Sequence, residues 1–264
     1  MLITHTNCLS AYLSDSQWVI DAIARAARRP SAGLGIPQPL QSLTRHEYNL
    51  CLMLGFFDDC LKRFEAKRPD FGAYSEAMAF LDVIYILSRL LLDSAAGVVR
   101  HYYKCNDNCE LPKSFNGIFT KSAKGQLPDN LNAVFSGCKT WFPDLKARRD
   151  DIVHHYETYF IGFEQNSRGK MTPIQFSSRS KTRAIPNEEL RAYIGGVMAG
   201  YQRFIDALLN NWDTTFKRWY GIGQTPNSRR FTILEGRSAN ILWWAYQYGG
   251  YRHDNLVIEF AGHP

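Results

Sequence analysis

The first half of the chain alternates between long stretches with helical apolar spacing and short polar breaks. Residues 44–67 carry leucine and phenylalanine at steps of three and four and are followed by Pro69, which predicts one helix. Residues 74–101 are apolar almost all round, which predicts a second, central helix. The same spacing predicts three further helices, over 111–122, 128–138 and 142–160.

The pattern is interrupted after the last of these helices and then resumes. Residues 162–185 are largely polar, with a strand predicted over 171–176. A helix of about thirty residues is predicted over 187–219, since apolar spacing returns there. Asn187 is its expected cap, and Glu188 and Glu189 would lie at its positive end.

The two ends of the chain differ from the middle. Residues 16–29 predict a short helix, and the Gly-, Pro- and Ala-rich residues 30–39 predict a linker. Near the other end, β-branched and aromatic runs between Gly and Asn predict a small antiparallel sheet. Its strands are expected over 231–234, 241–248 and 255–260. The sheet region is rich in aromatic side chains: Trp243, Trp244, Tyr246, Tyr248 and Tyr251. Such side chains could stack nucleic-acid bases. We favour the alternative, in which they fill the core of the small sheet or cover a partner.

Together these patterns predict the fold class and the domain organisation. We expect a mainly α protein, an up-and-down helical bundle over 40–220. An N-terminal helix and linker would occupy 1–39, and a small antiparallel β-rich appendage 221–264.

Composition and charge change this picture only modestly. With 45% hydrophobic residues the chain can bury a substantial core, and its net charge of +6 mildly favours polyanionic partners. The most apolar run, 80–99, contains Asp82, Arg89 and Asp93, so we expect no membrane span. The start of the chain lacks a signal-peptide pattern, so we expect a cytoplasmic protein.

The cysteines and acidic residues do not predict a metal centre. Six scattered cysteines in 264 residues are not typical of a disulfide scaffold. Cys105 and Cys109 would supply half of a zinc site, but no second pair follows at ligand spacing. Reduced thiols are the favoured interpretation, and we expect neither a metal nor another cofactor.

The candidate chemistry is concentrated in Arg149-Asp150-Asp151-Ile152-Val153-His154, with Arg148 before it and His155 after it. Arginine stabilises phosphate charge through a fixed fork of donors, and histidine transfers protons near neutral pH. Together they can cut a phosphodiester without a metal. The alternative is a charged helix face with solvated salt bridges, which is common in proteins.

The geometry of an ideal helix determines which of these residues share a face. Arg149 and His154 are five residues apart, about 140° around an ideal helix, so they do not converge on a straight helix. Asp150 with His154 and Asp151 with His155 share a face at i,i+4, and each aspartate would orient its histidine. If Arg149 and His154 act on one substrate, either the helix bends or two chains contribute to one cleft.

This motif, on a late helix of a bundle, resembles the Arg-x4-His motif of HEPN domains. Asp150 fits the polar second position of that family, and the upstream helices, followed by Leu111-Pro112-Lys113-Ser114-Phe115, are also similar. The resemblance covers roughly 44–212. It implies a metal-independent RNA endonuclease that acts as a symmetric homodimer, in a toxin–antitoxin, antiviral-defence or stress context, with a possible antitoxin or regulatory protein as partner.

The resemblance also implies roles for individual residues. His154 would be the general acid or base, Arg149 would bind the scissile phosphate, and Asp150 would orient the site. Secondary site residues would be Arg148, Asp151 and His155. An acidic residue from an earlier helix often completes such sites, and four positions are candidates: Asp58, Asp59, Asp82 and Asp93.

Two further interpretations remain open from sequence. Arg179, Lys181 and Arg183 would steer RNA, or else belong to a solvated loop. The whole chain would alternatively be a non-catalytic helical module for dimerisation and for binding RNA or protein. In that case His154 would face away from any cleft.

Overall fold

The structure of the chain, a computed structural model, describes residues 38–65, 71–107, 110–155, 159–165, 171–177, 188–211, 229–233, 239–252 and 256–260. Within these ranges the protein is mainly helical and carries a small three-stranded antiparallel sheet. The helices are α1 (Gln38–Glu65), α2 (Phe71–Asp107), α3 (Phe115–Ala123), α4 (Asp129–Ser136), α5 (Phe142–His154), α6 (Leu190–Asn211) and α7 (Ile241–Gln247). The strands are β1 (Tyr159–Gln165), β2 (Met171–Ser177), β3 (Glu188–Glu189), β4 (Arg229–Ile233) and β5 (Leu256–Phe260).

Helices α1 and α2 form an antiparallel pair. Near the connection between them, Cys60 Sγ lies 3.5 Å from Glu76 Oε2. Far from the connection, His46 Nδ1 lies 2.9 Å from Ser94 Oγ. Among the apolar residues that predicted α1, Leu54 and Phe57 are fully buried. The predicted helices at 44–67 and 74–101 are therefore confirmed, and both begin earlier than predicted.

A cluster of phenylalanines joins the shorter helices to α6 and so fixes the position of α5. The ring of Phe115 on α3 lies 4.7 Å from that of Phe142 on α5, centroid to centroid. It lies 5.0 Å from Phe135 on α4 and 5.2 Å from Phe204 on α6. Aromatic rings at these distances pack with large buried area. The first turn of α5 is thus anchored in the core.

Helix α6 begins three residues later than predicted. Glu188 and Glu189 form the short strand β3, and the Glu189 carboxylate accepts hydrogen bonds from the backbone N–H groups of Arg191 and Ala192. Glu189 therefore satisfies donors in the first turn of α6, as a capping residue does. Asn187, the predicted cap, lies outside the described residues, as does the chain after Asn211 up to residue 228.

The antiparallel sheet lies in the middle of the chain. Strand β2 confirms the predicted strand over 171–176, and it pairs with β1 so that Tyr159 faces Ser177. Strand β3 pairs with the other edge of β2. The predicted helix over 142–160 is wrong beyond His154, because the chain leaves the helix and Tyr159 begins β1.

The predicted C-terminal antiparallel sheet is wrong. Strands β4 and β5 pair in parallel, and the middle of the three predicted strands is the helix α7. The Asn240 side chain caps this helix by accepting from the N–H groups of Leu242 and Trp243. Trp244 is fully buried, with its ring 6.3 Å from that of Phe57 on α1, so Trp244 fills part of the core of the bundle.

The N-terminal predictions lie largely outside the described residues. The helix predicted over 16–29 cannot be compared with the structure, since the description begins at Gln38. Gln38 and Pro39, the last two residues of the predicted linker, belong to α1.

Candidate active site

Helix α5 carries the Arg-x4-His motif at its C-terminal end. The helix has Pro143 in its first turn and ends at His154, where the N–H of His155 still donates to the carbonyl of Asp151. The Tyr159 hydroxyl donates to Asp151 Oδ2 over 2.7 Å, which ties the first residue of β1 back to the last turns of α5. The two histidines are consequently exposed where the helix stops.

Arg149 and His154 meet within one chain. Arg149 Nη1 lies 3.1 Å from His154 Nε2, although an ideal helix separates the two Cα directions by about 140°. The expectation that they do not converge is therefore wrong. The helix ends at His154, and the long arginine side chain reaches along it. Because a guanidinium has no acceptor, this hydrogen bond requires an unprotonated Nε2 on His154.

Asp150 holds the arginine rather than the histidine. Its Oδ1 accepts from Arg149 Nη1 at 3.0 Å, and its Oδ2 accepts from Lys146 Nζ at 2.6 Å. Partial burial raises the pKa of Asp150, but the hydrogen bonds and charges of Lys146 and Arg149 outweigh it, so the net pKa is lowered. Asp150 is thus ionised at neutral pH. The predicted i,i+4 pairing of Asp150 with His154 is replaced by the pairing with Lys146.

Arg148 lies inside the protein. Only 3% of the residue is exposed, its Nε donates to Asp144 Oδ2 over 2.7 Å, and its guanidinium stacks 3.8 Å from the ring centroid of Tyr193. This burial removes Arg148 from the side chains that can touch a substrate. Asp151, bonded to Tyr159, likewise supports the structure instead of orienting His155.

The four candidate acids of earlier helices differ in how they relate to the motif. Asp58 is fully buried in ion pairs with Lys62 and Arg191, and Asp59 is exposed beside Lys62. Asp82 has a buried Oδ1 without a hydrogen-bond partner among the described residues. The fourth, Asp93, is the one linked toward the motif helix.

The link from Asp93 to the motif is Arg89. Asp93 Oδ1 lies 3.0 Å from Arg89 Nη1 and also accepts the Phe115 N–H. Burial lowers the pKa of Arg89, Asp93 partly restores it, and the nearby charge of Arg149 lowers it further. The Arg89 guanidinium lies 5.2 Å from the ring centroid of Phe142, so it contacts the first turn of the helix that carries the motif.

Arg89 and Lys146 are site neighbours that the sequence interpretation missed. Lys146 was detectable, because it precedes Asp150 by four residues on one helix. Arg89 was not detectable from the sequence, since its distance from α5 depends on how α2 packs against that helix. The predicted RNA-steering residues Arg179, Lys181 and Arg183 lie outside the described residues.

The described residues contain neither a metal-ligand cluster nor a helix that could cross a membrane. No group of three or more His, Cys, Asp or Glu side chains is placed there to hold a metal ion. None of the described helices has the length and apolar character needed to cross a membrane.

Fold and site together define a mainly helical protein with a hydrogen-bonded arginine–histidine pair at a helix end, in which Arg149 is half-buried and His154 is exposed. Comparison of the chain with protein-family models, with curated proteins and with solved structures found no match. Membership of the HEPN superfamily therefore stays a prediction from the motif.

Proposed function

We propose that this protein is a metal-independent RNA endonuclease of HEPN type that acts as a homodimer. The observation that carries the proposal is the 3.1 Å contact between Arg149 Nη1 and His154 Nε2 at the exposed end of α5. A phosphate-binding cation and a proton-transfer group that already touch each other can act on one phosphodiester.

Each side chain of the motif would have a separate role in the cleavage step. The 2′-oxygen of RNA attacks the adjacent phosphorus, the bond from phosphorus to the 5′-oxygen breaks, and a 2′,3′-cyclic phosphate and a 5′-hydroxyl form. One His154 takes the 2′-hydroxyl proton, and the protonated His154 of the second copy gives a proton to the leaving oxygen. Arg149 stabilises the charge that develops on the phosphate.

The contacts of Asp150 and Lys146 support these roles. Asp150 fixes the direction of the Arg149 guanidinium, and Lys146 adds positive charge on the other oxygen of Asp150. When a phosphate binds Arg149, the hydrogen bond from Arg149 to His154 is exchanged for one to the phosphate. Nε2 of His154 is then free to accept the 2′-hydroxyl proton.

The test is cleavage of a mixed RNA pool in EDTA by the wild type and by the Arg149→Ala and His154→Ala variants. Arg45→Ala, an exposed arginine on α1, is the matched control. We expect the wild type and the control to leave cyclic phosphate ends, and both motif variants to lose cleavage while they remain folded and dimeric.

Two results would overturn the proposal. Cleavage by His154→Ala at the wild-type rate would remove the histidine from the reaction. The absence of cleavage by every folded, dimeric protein would instead favour a non-catalytic module for dimerisation and for binding RNA or protein.

A further inference from the structure

The large apolar side chains that are exposed among the described residues all lie on α1 and α2: Tyr48, Phe56, Val83 and Leu90. The rings of Phe56 and Phe80 stack with their centroids 5.7 Å apart, so the apolar surfaces of the two helices meet there. The apolar residues that follow Phe80 on α2 recur at steps of three and four, which places them on one face of that helix. We call this surface the α1–α2 patch, and it comprises six side chains: Leu52, Phe56, Phe80, Val83, Leu87 and Leu90.

The chain that precedes the described residues enters the bundle beside this patch. Pro39, the second residue of α1, lies against α2, because a Cβ built on Gly97 would come within 3.3 Å of Pro39 Cβ. Gly97 follows Leu90 by about two helical turns, so it lies on the same face of α2 as the patch. Residues 1–37 are therefore joined to the bundle on the face that carries the patch.

The sequence of residues 16–29 is typical of a helix with one apolar side. Five positions form that side: Val19, Ile20, Ile23, Ala26 and Ala27. The opposite side is polar: Gln17, Asp21, Arg25 and Arg28. Because a helix this short is marginal in water on its own, its apolar side needs a surface to cover.

The lengths of the two apolar surfaces agree. From Val19 to Ala27 the predicted helix would extend about 12 Å, and from Phe80 to Leu90 the patch extends about 15 Å, at about 1.5 Å per residue. The start of α1 and the near end of the patch are about 10 Å apart along α2. Residues 30–37, predicted as a linker, can span up to about 26 Å. The linker is therefore long enough for the helix to return along the patch, antiparallel to α1.

We propose that residues 16–29 dock on the α1–α2 patch of their own chain as an amphipathic helix antiparallel to α1. Neither the patch nor the apolar side of the predicted helix contains a charged residue, so docking leaves the charged side in solvent. The linker also holds the helix at a high effective concentration next to the patch, which favours it over a second molecule. The proposal rests on no part of the nuclease reaction.

Limited digestion of the full chain with trypsin tests the docking, because the predicted helix contains cleavage sites after Arg25 and after Arg28. The rate of cleavage there, measured by mass spectrometry, depends on the fraction of molecules in which the helix has left the patch. We expect Ile23→Glu to raise this rate about tenfold or more, the effect of removing one large apolar side chain from a buried contact. Gln17→Glu is the matched control, since it makes the same change of charge on the polar side, and it should be cleaved like the wild type.

Substitutions in the bundle locate the other side of the contact. Phe56→Ser and Val83→Ser each remove an exposed patch residue, so each should also raise the rate of cleavage after Arg25 and Arg28. Asp59→Ser, an exposed residue of α1 outside the patch, is the control and should leave the rate unchanged. Circular dichroism confirms that each variant is folded, and either patch variant is sufficient if the other does not fold.

Two results would overturn the proposal. Cleavage of Ile23→Glu at the wild-type rate would show that the apolar side of the helix covers nothing. Cleavage of the folded patch variants at the wild-type rate would place the helix elsewhere, and if Phe56→Ser also dissociates a dimer in sedimentation, the patch belongs to a second copy of the chain. RNA cleavage enters none of these measurements, so this proposal and the proposed function fail separately.

Discussion

Two adjacent arginines on α5 should respond in opposite ways to the same substitution. Arg148 is buried against Tyr193, and Arg149 lies at the surface beside Asp150 and His154. We expect Arg148→Met to lower stability and Arg149→Met to abolish RNA cleavage with little change in stability. Methionine keeps the apolar stem in both cases and removes the charge and its hydrogen bonds.

The size of the difference follows from the exposure of each ion pair. The side chains of Arg148 and Asp144 are 4% and 25% exposed. Breaking a buried pair costs about 3–5 kcal/mol, and the partial exposure of Asp144 reduces this to about 2–3 kcal/mol. The side chains of Arg149 and Asp150 are 27% and 24% exposed, and Asp150 keeps Lys146, so we expect a loss of at most about 1 kcal/mol there.

Urea unfolding followed by circular dichroism measures the two free energies of unfolding, and the RNA assay in EDTA measures cleavage. A gap of about 2 kcal/mol between the variants corresponds to roughly 4–8 °C in Tm for a chain of this size. Equal destabilisation by both substitutions would refute the separation of the two arginines into interior and surface. So would an Arg148→Met variant as stable as the wild type.

Two other predictions concern packing and pH. Gly195→Ala should destabilise the protein by several kcal/mol, because the new Cβ would meet Tyr248 and the backbone of the C-terminal turn of α7. Gly196→Ala should instead stabilise it by up to about 1 kcal/mol, because a Cβ there meets no atom within 4 Å. Thermal melts that rank the two variants the other way would contradict the packing of α7 on α6. Burial raises the pKa of Glu47 well above its usual range, although the hydrogen bond from Tyr201 acts in the opposite direction. The folded state therefore keeps the Glu47 proton at pH values where the unfolded state loses it. The free energy of unfolding consequently falls as the pH rises above the ordinary value of 4.5. Glu47→Gln should therefore gain stability relative to the wild type by about 1.4 kcal/mol for each pH unit above 4.5, until the carboxyl of the folded wild type ionises. Urea unfolding of both proteins at pH 5, 6 and 7 measures this gain. A difference in the free energy of unfolding that stays constant over the three pH values would rule the prediction out.

Local periodicity predicted the long helices because their burial repeats within one segment. Leu54 and Phe57 on α1 are fully buried, as their spacing requires. Helix α3 also carried a local signal, since the Ser114 hydroxyl accepts from the Gly117 N–H over 3.1 Å. For these elements the sequence pattern and the tertiary packing agree.

The sequence predictions were wrong where tertiary contacts determine the secondary structure. Residues 241–248 have the aromatic composition of a strand, yet they form α7, because Trp244 and Ile241 fill a space between helices. Asn240 was the local signal for a helix start, and it was outweighed by that composition. The end of α5 had no such signal: no glycine or proline follows His154 directly, and the pairing of β1 with β2 terminates the helix from a distance.

That termination explains how residues five apart come to share a site. In the middle of a long helix, Arg149 and His154 would be separated by about 140° and by further turns of backbone on both sides. Here Tyr159 pairs in β1 and its hydroxyl bonds Asp151, so the chain turns away within a few residues of His154. The imidazole then stands at a helix end, within reach of the Arg149 guanidinium. The spacing of the motif supplies the two groups, but the strand that follows brings them together, so an Arg-x4-His sequence buried within a longer straight helix would lack this geometry.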